Sequence, residues 1–308
     1  MLNITKGKID RAVKTVIYGS EGIGKSTFAS QFPDPLFIDT EGGTAQLDVR
    51  RIERPSTWEG FLAIVNEVAS TPGICKTLVI DTADWAEQIC VDYICHKYRQ
   101  SSIESFGYGK GYTYLAEEWS SFLAVCDAVI ASGKHVVIVA HAKQRKQELP
   151  DEAGAFDRWG LKLSKQVAPL LKEWADLLLF LNYKTFIIRT ENNTNKAQGG
   201  KRVMYTTHHP CWDAKNRHGL PDELDLDYAN IAHIFSEPVP AATPYDNLLK
   251  MMAESGISDE QFRKVIASRG KYSEETPIAE YPESFILGYC IKYFENIKKL
   301  VMEDSNNG

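Results

Sequence analysis

The sequence predicts an α/β fold: a mostly parallel sheet flanked by helices, with an antiparallel hairpin at one edge and a small helical region at the C-terminal end. Three observations predict it. Short apolar runs alternate with helix-patterned segments from residue 12 to residue 181, the pattern of strands joined by crossover helices. The first run leads into a glycine-rich loop with a Lys-Ser pair, then into an apolar helical segment. After Pro238 and Pro240 the composition shifts and only helical patterns remain. The expected division is therefore residues 1–236 and 237–308.

Taken in order, residues 12–18 form the first strand and residues 25–32 a helix stopped by Pro33 and Pro35. Residues 35–43 give a short buried strand ending in Asp39 and Glu41 beside Gly42 and Gly43. Ser56 and Glu59 form a capping-box pair ahead of Trp58, Phe61, Leu62, Val65 and Val68 at helical spacing. Residues 77–84 are a second apolar strand ending in an acid, followed by a helix with Trp85, Ile89 and Ile94 on one face. Residues 105–114 read as a loop rich in Gly, Tyr and Lys, and Leu115 to Ile130 as an amphipathic helix closed by Gly133. Residues 135–143 are another buried strand. The polar stretch Gln144 to Arg158 lacks periodicity and reads as a long loop, a length that usually serves function or motion. A helix around Leu163 to Trp174 precedes a strand at 176–181. Strands near 185–190 and 202–206 flank the polar ENNTNKAQGG as a hairpin. Three helical patterns follow: Tyr245, Leu248, Leu249 and Met252; Phe262, Val265 and Ile266 behind a Ser258–Gln261 cap; and Phe285, Tyr289, Tyr293, Ile297 and Leu300. The last residues, EDSNNG, read as frayed.

The glycine-rich loop carries the chemistry. Gly19, Ser20, Glu21, Gly22, Ile23, Gly24, Lys25, Ser26 and Thr27 fit the phosphate-binding pattern G-x-x-x-x-G-K-[ST] without a mismatch. Glycines let the backbone turn its N–H groups onto phosphates, and the following helix adds positive charge at its N-terminus. Lys25 is placed to reach the β- and γ-phosphates and Ser26 to hold Mg²⁺. The expected ligands are ATP and Mg²⁺. An incidental glycine-rich turn is the bland reading, and the flanking strand and helix argue against it.

Hydrolysis needs more: a second magnesium ligand, a group that positions water, and positive charge on the γ-phosphate. Asp81 ends the apolar run Leu78-Val79-Ile80 at the ligand edge of a parallel sheet, which suits the metal; an N-cap for the next helix is its bland alternative. Glu41 is the candidate to polarise water, with Asp39 as runner-up, and either can instead cap the Gly42–Gly43 turn. His141 ends its strand facing the γ-phosphate edge, or is a satisfied buried histidine. Lys215 and Arg217, at i and i+2 on an extended segment, point to one side and suit a phosphate clamp, or form a solvated basic turn.

Composition sets limits. At 308 residues, 44% hydrophobic and 25% charged, the chain has an ordinary globular make-up. A formal charge of −6 means that any nucleic-acid contact comes from a local patch. No apolar run approaches transmembrane length, and the N-terminal residues lack the apolar core of a secretory leader. The six cysteines form no C-x-x-C pair, and Cys90, Cys95 and His96 lack further metal partners. A reduced cytoplasmic protein with no membrane association is expected.

The P-loop, FIDTE, LVIDT, the strand ending in His141 and the KNRHG segment, in that order, resemble the RecA-like recombinase and DnaB-like helicase ATPases. FGYGKGY followed by an amphipathic helix and VVIVAHAK is similar to the phage-type members that include the Sak-type single-strand annealing proteins. The resemblance covers residues 10 to 230. It implies a RecA-like P-loop fold with Glu41 activating water, Asp81 in the Walker-B role and His141 in place of the γ-phosphate-sensing Gln. It also implies that Lys215 and Arg217 form a finger reaching a neighbouring subunit's ATP in a ring or filament. Two DNA-facing loops are implied, one with Phe106, Tyr108, Lys110, Tyr112 and Tyr114, the other with Lys143, Arg145, Lys146 and Arg158. Rings stack bases and cations meet the backbone of single strands; packed tyrosines and solvated cations are the alternative. The reading that results is an ATPase acting on single-stranded DNA in phage recombination or replication, with a single-strand-binding or replication protein as a possible partner. A nucleotide-gated scaffold with little turnover, a helicase motor and a small-molecule kinase are the rivals.

Overall fold

The computed structural model describes residues 6–7, 11–148, 154–189, 195–236 and 244–306. The chain separates into two compact units, Met1–Ser236 and Glu237–Gly308.

The first unit is built on a sheet whose central strands are apolar on both faces. These are β1 (Lys14–Gly19), β2 (Pro35–Asp39), β4 (Thr77–Asp81), β5 (His135–Glu148) and β7 (Leu177–Arg189). With the short β3 (Arg50–Ile52) they pair in parallel, in the order β7-β1-β5-β4-β2-β3. Strands buried on both faces read as continuous apolar runs, which is why the sequence marks them clearly. Alternation assigns each side chain. Val16, Tyr18, Leu78, Ile80, Val136 and Ile138 enter one core, and Val13, Ile17, Val79, Val137 and Val139 the other.

The first core is covered by α2 (Trp58–Ser70), α3 (Ala83–Lys97), α4 (Lys110–Ala131) and α5 (Val167–Trp174). Trp58, Phe61, Trp119 and Phe122 form its aromatic centre, with ring centroids 5.1–5.9 Å apart. The second core is covered by α1 (Lys25–Ala29) and by two 3₁₀ turns at Tyr228–Asn230 and Ala232–Ile234.

Several local expectations are corrected. The α2 cap is Thr57, whose side chain accepts from the Gly60 N–H, so the Ser56–Glu59 box does not form. On α3 the buried face is Ala83, Ala86, Cys90 and Ile94, while Trp85 is exposed with Arg54 over its ring. The supposed long loop 144–158 is a hairpin. Strand β5 runs on to Glu148 and pairs antiparallel with β6 (Ala155–Leu161); a largely polar hairpin carries no regular apolar alternation to read. Helix α5 starts at Val167, later than expected. The strands at 176–181 and 185–190 are one strand, β7, with a register shift between Lys184 and Thr185. Its partner β8 (Asn195–Tyr205) takes in most of the stretch expected at the hairpin tip; residues 190–194 lie outside the described residues. Strands β9 (Lys215–Asn216) and β10 (Glu223–Asp225) complete this antiparallel edge.

The second unit contains α6 (Pro244–Glu254), α7 (Asp259–Ser268), the one-turn α8 (Glu283–Phe285), a π-helical segment (Ile286–Ile291) and α9 (Phe294–Asn306). Ser258 and Gln261 form the expected reciprocal cap on α7. Helix α9 runs through four of the six residues expected to fray. Leu248, Phe262, Ile266, Cys290 and Phe294 lie in this unit's own core. Among the described residues no helix is long and apolar enough to cross a membrane, and no cluster of metal-binding side chains is present. All six cysteines are free.

Candidate nucleotide site

The parallel strands end together, and their register assembles the site. Gly19 lies opposite His141 across β1 and β5, and Asp39 opposite Asp81 across β2 and β4. The loop between β1 and α1 curls over this edge. A Cβ on Gly19 would stand 2.4 Å from the Leu181 carbonyl oxygen, so only glycine lets the loop leave the strand there. Gly24 has φ +105°, a conformation glycine adopts without steric cost.

Lys25 is buried, and its ammonium donates to the Gly19 and Ser20 carbonyls at 3.3 and 3.0 Å. Burial lowers its pKa, opposed by Asp81, Asp84, Glu41 and Glu21. Asp81 is pushed up to about 6 by burial, with Asp39 and Glu41 adding to the rise while a Ser26 hydrogen bond and Lys25 oppose it. Its Oδ2 is buried without a hydrogen-bond partner among the described residues, as is the Ser20 hydroxyl. An unpartnered carboxylate oxygen beside the Ser26 hydroxyl is the donor set that a hard divalent cation takes. The residues present therefore fit Mg²⁺.

The two candidate water-positioning acids separate. Asp39 accepts from Gly42 N, Gly43 N, Thr44 N and the Thr44 hydroxyl at 2.6, 3.2, 2.9 and 2.6 Å. Burial acts to raise its carboxyl, but these bonds outweigh it and hold the group below its ordinary value. Glu41 is half-exposed, with its Oε2 4.0 Å from His141 Nε2. His141 is held from its other side. Its backbone N–H and its Nδ1 contact the two Asp84 oxygens at 3.1 and 2.9 Å. Burial works to raise Asp84, and the His141 contacts keep it lowered. Asp84 was not singled out in the sequence; the IDTAD spacing shows an acid in the first helical turn but not its grip on His141.

Tyr183 and Arg202 are also additions. They face one another across β7 and β8, and reach the Gly22 and Ile23 carbonyls of the loop at 3.4 Å. The sequence hides them in a weakly patterned hairpin.

The other predicted residues lie elsewhere. Lys215 and Arg217 sit at the opposite end of the sheet, where Leu178 pairs with Lys215, so they do not join their own P-loop. Their side chains take different partners. Lys215 donates to the Lys172 and Glu173 carbonyls at the end of α5, and Arg217 to Asp176 at 2.8 Å, which Arg11 also binds.

Lys143, Arg145 and Lys146 are exposed along the β5–β6 hairpin. Arg158 is not a free cation: it bonds Asp213, shared with Lys172, and the Pro210 carbonyl. Burial acts to raise Asp213, and the two cations hold it down. Beside the hairpin lies a cavity of about 600 Å³ lined by Tyr112, Lys143, Arg145, Lys162, Lys165 and Gln166. Lys162 and Lys165 are new to the basic set; they follow β6, which the sequence did not reveal. In the other expected DNA segment, Lys110, Tyr112 and Tyr114 begin α4. Tyr112 bonds Glu104, Tyr114 stacks on Tyr98 at 4.5 Å and Lys110 lies over the Tyr114 ring. Tyr108 is fully exposed.

A family profile described as an AAA domain matches residues 11–218. The chain belongs to this AAA-domain family. The AAA domain so defined contains the P-loop, Asp39, Glu41, Asp81, Asp84 and His141, which makes it a nucleotide-binding P-loop NTPase fold. The SPbeta prophage-derived uncharacterized protein YorG of Bacillus subtilis (strain 168) is 23% identical over 137 residues, 42% of this chain. The match spans 41% of that relative's length. Among solved structures, the KaiC-like protein PH0186 from Pyrococcus horikoshii OT3 is 14% identical, with 63% of this chain and 78% of that one covered and a TM-score of 0.35. The flagellar accessory protein FlaH from Methanocaldococcus jannaschii is 11% identical, with 68% and 81% covered and a TM-score of 0.34.

Proposed function

We propose that this AAA-domain protein is a RecA-like, Mg²⁺-dependent ATPase that assembles and acts on single-stranded DNA in phage recombination or replication. The observation that carries the reading is the convergence of Lys25, Ser26, Asp81, Glu41 and His141 at one sheet edge, with an unpartnered Asp81 oxygen beside Ser26. Lys25 exchanges its loop carbonyls for the β- and γ-phosphates. Ser26 and Asp81 would hold Mg²⁺, which would supply positive charge to the phosphate oxygens. Glu41 orients a water and takes its proton as the water oxygen bonds the γ-phosphorus and the ADP oxygen leaves. His141, fixed by Asp84, presents Nε2 toward the same region. Arg202 and Tyr183 border the loop on the outer side.

The basic groove with Tyr112, Lys143, Arg145, Lys162 and Lys165 supports a nucleic-acid substrate, because such a groove tracks a phosphate backbone. Annealing or strand pairing is the expected output, and the prophage origin of YorG supports the phage setting. Assembly into a ring or filament would bring Lys215 and Arg217 to a neighbour's ATP. Their position far from their own P-loop supports that role, as does the 58% exposure of the Arg217 side chain. A single-strand-binding or replication protein is the expected partner.

The test is ATP hydrolysis with and without single-stranded DNA, at low and moderate salt. Stimulation that weakens as salt rises is expected, since phosphate contacts release counterions. A flat, slow rate under every condition overturns the DNA-dependent reading in favour of a nucleotide-gated scaffold. Lys25→Ala removes nucleotide binding in a titration; retained affinity would overturn the site itself.

A further inference from the structure

The C-terminal unit carries a groove that the nucleotide chemistry does not use. Helix α7 supplies Val265 and Ile266, and its C-cap residue Arg269 follows; the π-helical segment supplies Tyr289; Tyr293 and, from α9, Ile297, Lys299, Leu300 and Glu303 complete it. Its volume, about 590 Å³, is in the range that accepts several side chains. Val265, Ile266 and Ile297 form a buried aliphatic floor, while Arg269, Tyr293 and Lys299 are exposed at the rim.

Charge identifies the occupant. Residues 237–308 contain eight Lys/Arg and twelve Asp/Glu, a net −4. In that acidic unit, two of the eight cations line this one groove and two more sit over its tyrosine rings. Arg269 and Lys299 line it, and Lys271 and Lys292 sit over the Tyr289 and Tyr293 rings at 5.3 and 5.4 Å. Among the described residues no ion pair engages Arg269 or Lys299, and Glu303 is the one acid lining the groove. A second observation is the backbone beneath Tyr289. Six residues, Ile286–Ile291, form a π-helix, a rare arrangement that concentrates at functional sites. An aliphatic floor takes an apolar anchor, and a cationic rim takes flanking carboxylates. A nucleic-acid strand fits less well, because the floor is aliphatic and the surrounding unit is acidic.

We propose that this groove docks an acidic peptide segment of another protein, one that carries an aliphatic or aromatic anchor residue. Recognition seats the anchor on Val265, Ile266, Ile297 and Leu300 and pairs its flanking carboxylates with Arg269 and Lys299.

The test uses the full chain, immobilised, to select from a displayed library of random twelve-residue peptides. Selected peptides are then measured by fluorescence anisotropy. The expected outcome is enrichment of peptides with net negative charge and a large apolar residue. Their affinity should fall at least tenfold in Arg269→Glu/Lys299→Glu and at least tenfold in Leu300→Asp. The first variant changes exposed side chains only, and helical circular dichroism checks that both fold. No enrichment over the charge-reversed variant overturns the proposal, as does enrichment of basic or neutral peptides. Competition by an oligo-dT strand at equal concentration would show a nucleic-acid surface instead. A change of oligomeric state in the charge-reversed variant would show a contact between copies of this chain. Either result overturns the peptide reading. Peptide binding and ATP turnover are read separately, so failure here leaves the nucleotide-site reading standing, and the reverse.

Discussion

Asp39 and Glu41, two residues apart, divide one task between structure and chemistry, and a pair of substitutions separates them. Asp39→Ala deletes four hydrogen bonds to a charged acceptor. The Gly42 and Gly43 amides lie in an exposed turn and regain water. Thr44 is fully buried, so its N–H and hydroxyl stay unsatisfied. Two bonds to a carboxylate at about 1.5 kcal/mol each give a loss of about 3 kcal/mol. Glu41→Gln breaks no hydrogen bond and should change stability by less than about 0.5 kcal/mol, while turnover falls at least about a hundredfold if Glu41 takes the proton from water. All six tryptophans, from Trp58 to Trp212, lie in the first unit. Urea unfolding followed by tryptophan fluorescence therefore reads that unit alone. The pH dependence adds a check. Asp39 is held below its ordinary value of 3.8, so its contribution is present above that pH and is lost as pH falls through the lower folded value. The stability gap should be constant from pH 5 to 8. An Asp39→Ala protein as stable as wild type, or a Glu41→Gln protein with full turnover, would refute this division.

Asp81→Asn should stabilise the protein free of Mg²⁺ and nucleotide. A carboxyl raised from 3.8 to about 6 stays neutral when folded while the unfolded chain ionises, so wild type loses stability as pH rises through that window, up to about 3 kcal/mol. The same unfolding experiment should show a larger gap at pH 7 than at pH 5, and ATP binding should lose its Mg²⁺ dependence; a gap that does not vary with pH contradicts the buried-acid assignment. Asp84→Ala releases His141, so kcat should fall about tenfold or more with ATP affinity little changed, measured by turnover and by nucleotide titration. Arg217→Ala should retain nucleotide affinity and lose turnover, and mixing it with Glu41→Ala protein should restore part of the rate. Assembled mixtures without any rescue would count against a shared site.

What the sequence shows well is what local physics dictates alone. The P-loop, the two-sided apolar strands and the acids at their ends need only a short window to be read. Gly19 is recognisable from the motif, although its reason, the Leu181 carbonyl 2.4 Å from a Cβ, belongs to a strand residue 162 positions on. Long-range pairing is where legibility ends. The β5–β6 hairpin is largely polar and lacks a regular apolar alternation, so Lys162 and Lys165 do not show as groove residues. The identity of the Thr57 cap turns on backbone geometry that Ser56–Glu59 mimics. Arg158 looks like a free cation in one dimension and is engaged by Asp213, 55 residues on. Lys215 and Arg217 share an extended segment, yet tertiary partners draw them to different anchors.

Helix α3 has a mechanical consequence. Asp84 on its first turn grips His141 at the nucleotide edge, and Glu87, one turn on, accepts the Ser164 N–H with both oxygens at 3.0 and 3.1 Å, on the wall of the basic groove. The two residues are separated by a rise of about 4.5 Å along one helix axis. That axis is seated on the sheet by side chains as small as Ala83, Ala86 and Cys90, all fully buried. The helix behaves as a short rigid tie bar bolted at both fittings. His141 at the nucleotide edge and Ser164 on the groove wall are thus held by successive acids of one helix.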